Sequence, residues 1–125
     1  MNKIEYNTID STGRLLLKDN WCSYIDDDYH NGYRIIETTK GLNYIDVSGN
    51  ILSDEYYPLV WDFKDGFGMV RNKHNKWNYI KPDGTLLSDE WFKSADDFKD
   101  GFGRVENKDG KIIYIDTKGE LHIER

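Results

Sequence analysis

The feature that most limits what this chain can fold into is that it repeats itself. Asp62-Phe63-Lys64-Asp65-Gly66-Phe67-Gly68-Met69-Val70 returns 35 residues later as Asp97-Phe98-Lys99-Asp100-Gly101-Phe102-Gly103-Arg104-Val105. The same interval carries Leu52-Ser53-Asp54-Glu55 onto Leu87-Ser88-Asp89-Glu90, and Tyr79-Ile80 onto Tyr114-Ile115. A more diverged copy precedes them: the segment from Tyr29 to Ile36 matches Phe63 to Val70, and Ile9 to Leu16 matches Ile45 to Leu52. The 125 residues therefore read as one repeat domain, with a partial repeat over 1–31, units over 32–65 and 66–100, and a last unit over 101–125. A period of this length signals stacked supersecondary units, none of which buries its own faces alone.

Within a unit the signals are those of strands. Residues 67–72, 77–81 and 85–87 form short runs, separated by the loop Lys73-His74-Asn75-Lys76 and the turn Pro82-Asp83-Gly84. This predicts a three-stranded antiparallel meander followed by a connector, 54–65 or 89–100, in which Ser88-Asp89-Glu90 reads as the N-cap of a helical turn. The strands do not alternate cleanly: Ile112 and Tyr114 point one way, Ile113 and Ile115 the other. A strand apolar on both faces needs cover on both. The fold class expected is all-β, with tandem three-stranded antiparallel meanders stacked as an open solenoid or partial propeller. Tyr79 and Tyr114, Ile80 and Ile115, and Phe63 and Phe98 should then form equivalent buried ladders between units.

The order Phe-x-x-Gly-Phe-Gly-x-Val, then Lys76-Trp77-Asn78-Tyr79-Ile80, then Asp83-Gly84-Thr85-Leu86-Leu87 resembles the WG β-repeat of bacterial proteins. The likeness runs from Ile9 onward, although Leu42-Asn43, Trp77-Asn78 and Ile112-Ile113 stand where that family has its Trp-Gly pair. The resemblance implies an all-β repeat scaffold and no common reaction.

Few residues offer chemistry. Cys22 is the one cysteine, which rules out an internal disulfide, and beside Trp21 it reads as a small buried apolar residue. His30, His74 and His122 stand in no catalytic motif, and no serine sits in a nucleophile elbow. Asp26-Asp27-Asp28 fails as a calcium loop, because His30 and Asn31 fill its fifth and sixth positions. Gly66-Phe67-Gly68 lacks the third glycine and the lysine of a phosphate cradle. No enzymatic activity, cofactor or metal is expected. The opening residues carry no apolar leader and no run is long enough to span a bilayer, so the expected compartment is the cytoplasm.

Charge is more informative. The net charge of −6 argues against direct binding to nucleic acid or to an anionic membrane. The segments 19–30, 54–65 and 89–100 carry −4, −3 and −3, which leaves the remainder at +4. Stacked repeats would align these connectors into an acidic edge. Asp26, Asp27, Asp28, Asp54, Glu55, Asp62, Asp89, Glu90, Asp96 and Asp97 are therefore candidate docking residues for a basic protein, such as a nuclease or another nucleic-acid-binding effector. The reading that follows is a small acidic intracellular inhibitor, of the toxin-immunity or phage counter-defence kind, acting as a monomer or as a dimer stacked end to end. Twelve lysines against five arginines fit an AT-rich bacterial or phage genome. The alternative is a small-molecule or glycan binder that uses Trp61 and Trp91 in a groove of the stack.

Overall fold

The computed structural model describes residues 24–26 and 28–124. Cys22, Asp27 and most of the N-terminal partial repeat lie outside the described residues. The fold is all-β and antiparallel throughout. The first sheet joins β1 (Tyr24–Ile25), β2 (Tyr33–Thr38) and β3 (Gly41–Asp46), and the second joins β4 (Leu59–Lys64), β5 (Phe67–Arg71) and β6 (Trp77–Ile80). The third sheet has four strands: β7 (Ser94–Ala95), β8 (Phe102–Glu106), β9 (Ile112–Asp116) and β10 (Leu121–His122).

Two expectations are corrected. The connectors are not merely links between meanders: β4 and β7 lie within them and open the second and third sheets, so these two meanders gain a strand ahead of their Gly-Phe-Gly segments. The hairpin between β4 and β5 turns on Asp65 and Gly66, both with positive φ (50° and 92°), the geometry of a two-residue turn matched to strand twist. Asn31-Gly32 and Asp100-Gly101 repeat that geometry. Nor do the connectors hold a helical turn. Ser88 does accept the Glu90 amide through Oγ at 3.0 Å, as Ser53 accepts that of Glu55. The same local bond serves turns as readily as helix caps, and here the chain returns at once to the edge of its own sheet. Ile80 bridges Leu86 and Trp77 bridges Phe92, as Ile45 bridges Ile51 and Leu42 bridges Tyr57, giving each of these sheets a broken fourth strand.

Asn43 and Asn78, both buried, hold that break open. Asn78 Nδ2 donates to the carbonyls of Ser88 (2.8 Å) and Glu90 (3.3 Å), and its Oδ1 accepts the amides of Tyr79 and Ser88. Asn43 makes the same bonds to Ser53, Glu55 and Tyr44. One carboxamide thus satisfies backbone groups that the ladder abandons where the strand bulges. At the third such position stands Ile113, and β10 there pairs regularly with β9 through Leu121–Ile115 and His122–Tyr114. At Phe92 the chain changes sheets: the Phe92 amide donates to Trp77 in the second sheet (2.9 Å), and the next amide, Lys93, donates to Glu106 in the third (2.9 Å).

The core lies between sheets. Val70 and Ile80 face the first sheet with Tyr44, Val60 and Phe63, whereas Met69 and Tyr79 face the third with Phe98, Val105 and Ile115. The second sheet is therefore apolar on both faces and covered on both. Phe63 stacks on Tyr33 and Phe98 on Phe67, each at 4.3 Å between ring centroids. Tyr44 donates its hydroxyl to the Trp61 carbonyl and Tyr79 to the Asp96 carbonyl, so that each phenol ties its strand to the next sheet. Beneath these hydroxyls lie Gly68 and Gly103. A Cβ at Gly103 would sit 2.5 Å from Tyr79 Oη, and one at Gly68 would sit 2.6 Å from Tyr44 Oη. Tyr114 departs from its expected burial: it is half-buried, because among the described residues no further sheet lies over its face of β9.

Burial pushes the Tyr44 and Tyr79 phenols well above their ordinary 10, with Asp62 adding to the first and Asp96 and Asp97 to the second. The folded state holds these protons more tightly than the unfolded chain, so their contribution is complete below about pH 10 and is lost as pH rises beyond it. In an alkaline titration these two of the nine tyrosines should give tyrosinate absorbance only when the β circular-dichroism signal collapses. Ionisation of all nine within an intact fold would contradict this packing.

Candidate functional site

The broken fourth strand that follows β3 and the one that follows β6 lie side by side, and a cleft runs between them. One part, about 410 Å³, is lined by Glu55, Tyr56, Tyr57, Pro58, Leu86 and Trp91, and by Asn72 and Lys73 from the loop after β5. An adjoining part of about 500 Å³ shares Glu55, Tyr57, Leu86 and Trp91 and adds Asp54 and Asp89 at its rim. Its floor is a tilted aromatic pair, Tyr57 and Trp91, with centroids 6.3 Å apart and planes at 49°. Burial raises the Tyr57 phenol pKa, a hydrogen bond from Ser53 offsets part of this, and the Glu55 carboxylate adds to the rise. Among the described residues, no lysine, arginine or histidine nitrogen lies within ion-pair distance of Asp54, Glu55 or Asp89.

The other predicted acids divide differently. Asp62 and Asp97 line a separate cleft of about 350 Å³ with Trp61, His30, Asn31 and Lys64. There Asp97 meets Lys64 at 3.8 Å, and Asp96 nearby meets Arg104 at 3.5 Å, so this group is partly neutralised. Trp61 is 41% exposed and packs edge-on against Trp77 at 5.3 Å. Asp26 turns inward, its Oδ2 accepting the Ile35 amide at 3.1 Å and its Oδ1 the Tyr24 hydroxyl at 2.9 Å. Asp28 is exposed and accepts the Tyr29 amide. Glu90 is half-buried, and its backbone is spent on Ser88 and Asn78. The candidate acids thus border two different clefts, and among the described residues no cation pairs with Asp54, Glu55 or Asp89 around Trp91.

Tyr57, Tyr56 and Leu86 were not singled out by sequence reasoning. The signal was present: Asp54-Glu55-Tyr56-Tyr57 and Asp89-Glu90-Trp91-Phe92 are the same acid-acid-aromatic-aromatic element in successive copies. A further unpredicted grouping stands on the last turn, where ligand atoms of Asp116, Glu120 and His122 lie within 4.8 Å of one another. His122 Nε2 is 2.8 Å from Asp116 Oδ2, and this contact, with the Glu120 and Lys118 amides, holds the Asp116 carboxyl below the usual range. Among the described residues, no helix is long and apolar enough to cross a membrane.

No protein-family model matches the chain, and no curated protein does. Among solved structures it is similar to the computationally designed Ika4 protein, at 18% identity over 78% of this chain and 68% of that one, with a TM-score of 0.49. It is also similar to the computationally designed Ika8 protein in one of its crystal packings, at 18% identity over 78% of this chain and 36% of that one, with a TM-score of 0.47.

Proposed function

We propose that this chain is a non-enzymatic protein-binding module, on a scaffold of the WG β-repeat kind, that docks on a basic protein surface as a small acidic inhibitor. The observation that supports this reading is the cleft whose rim carboxylates, Asp54, Glu55 and Asp89, have no cationic partner among the described residues. Unneutralised charge beside apolar area attracts a positively charged partner and sets its orientation. A second reading, a small-molecule or glycan site, is favoured by the concave aromatic lining and by a volume within the usual ligand range of about 300–1,000 Å³.

Exposed charges of this kind contribute within about 0.5 kcal/mol each to folding. The variant Asp54→Lys with Glu55→Lys and Asp89→Lys should therefore melt close to the parent. Bait columns carrying the two proteins should differ in what they retain from a bacterial lysate. The parent alone should hold a basic protein, released by salt because the charges are screened over about 8 Å at physiological ionic strength. Purified, that protein should lose its activity when the parent chain is added and keep it when the variant is added. Identical retention by both baits would sink the proposal.

A further inference from the structure

The internal repeat acts as its own control for the cleft. Trp91 occupies in the second copy the place that Tyr56 occupies in the first. In the first copy the ring has a cation: the Lys40 ammonium stands 5.7 Å from the Tyr56 ring centroid, from the turn between β2 and β3. The residue equivalent to Lys40 in the second copy is Asn75, and among the described residues no cation covers Trp91. Two other rings are covered by arginines of the chain, Arg34 over Tyr29 at 4.5 Å and Arg71 over Trp77 at 5.9 Å. The second copy thus presents the better ring for a cation, tryptophan in place of tyrosine, without the lysine. Around that ring stand the three carboxylates that no described cation pairs with. Lys73 reaches the cleft wall but pairs with none of them.

We infer that the cleft at Trp91 receives an arginine side chain of the partner, stacked on the indole and supplied in trans where the first copy uses Lys40 in cis. This rests on the protein-binding reading above and names the anchor within it. Arginine fits better than lysine for two reasons. Its planar guanidinium lies flat on an indole and still directs N–H groups sideways to carboxylates, whereas a hydrated ammonium is a point charge. The cleft at Trp91 is also bordered by three carboxylates, to which a guanidinium offers five N–H donors against the ammonium's three. Arginine, like tryptophan and tyrosine, is also enriched among the energetic hot spots of protein interfaces.

The full chain can be titrated with three peptides, hexa-arginine, hexa-lysine and hexa-glutamate, while the indole N–H signals are followed by NMR and affinity by calorimetry. Hexa-arginine should move the Trp91 indole signal (assigned with Trp91→Phe) and bind about tenfold more tightly than hexa-lysine, with hexa-glutamate inert. The charge-neutral variant Asp54→Asn with Glu55→Gln and Asp89→Asn, whose exposed side chains leave the core intact, should weaken hexa-arginine about tenfold or more. Asp96→Asn with Asp97→Asn should change it less than twofold. Equal binding of both basic peptides with an unmoved Trp91 signal would overturn the arginine anchor and leave the basic-partner reading standing. Binding of neither peptide, with the indole responding instead to a neutral oligosaccharide such as maltohexaose, would overturn both.

Discussion

Replacing Phe98 by alanine is expected to cost about 3–5 kcal/mol, the range for deleting a large aromatic side chain from a packed core. Phe98 is 2% exposed, stacks on Phe67 at 4.3 Å and meets the Tyr79 ring edge-on at 4.8 Å. Its removal empties the centre of the contact between the second and third sheets, and denaturant unfolding would measure the loss. A cost within about 0.5 kcal/mol, typical of surface positions, would mean that these sheets do not pack through this ring.

Gly103→Ala should be nearly as damaging, for a different reason. The glycine has no positive φ to protect; its constraint is space, since the new methyl group would lie 2.5 Å from Tyr79 Oη and 2.8 Å from Tyr79 Cζ. Relief requires the tyrosine to leave its seat on the Asp96 carbonyl, and a loss of about 3 kcal/mol is expected, at the upper end for overpacking. Tyr79→Phe alone should cost about 1 kcal/mol for the lost hydrogen bond. The double variant should then be more stable than the sum of the two single losses implies, by about 1 kcal/mol, because the atom closest to the methyl group is gone. Strict additivity would show that the glycine and the phenol do not share this space.

The repeat made the antiparallel all-β fold legible, and within it the positions of Phe63, Phe98, Tyr79 and Ile80. Two things stayed hidden for physical reasons. Strand β7 is only Ser94–Ala95, and β4 follows Asp54-Glu55 and Pro58, which read as the end of a connector; the pairing of both is set by the Asp-Gly turns that follow. Asn43 and Asn78 looked like departures from the Trp-Gly pair of the WG β-repeat, and a single sequence does not reveal that a buried carboxamide holds open a bulge ten residues further on. The candidate site was half legible. Trp91, Asp54, Glu55 and Asp89 stood out by type and charge. Which acids would be neutralised by Lys64 and Arg104 depends on distances that no spacing encodes.

The transfer of the chain at Phe92 and Lys93 from one sheet to the next has a consequence for how the protein comes apart. In a stack of self-contained repeats, a terminal unit can fray while its neighbour stays whole. Here neighbouring amides are hydrogen-bonded to Trp77 on one side and Glu106 on the other, so peeling away the third sheet also strips the outer edge from the second. Tyr57 and Leu59 make the same transfer between the first sheet and the second. The sheets are overlapped like roof tiles, each held down by its neighbour's edge. Amide exchange at Phe92 and Lys93 should accordingly follow opening of the second and third sheets together, and the smallest piece that keeps intact edges is larger than the 35-residue period written in the sequence.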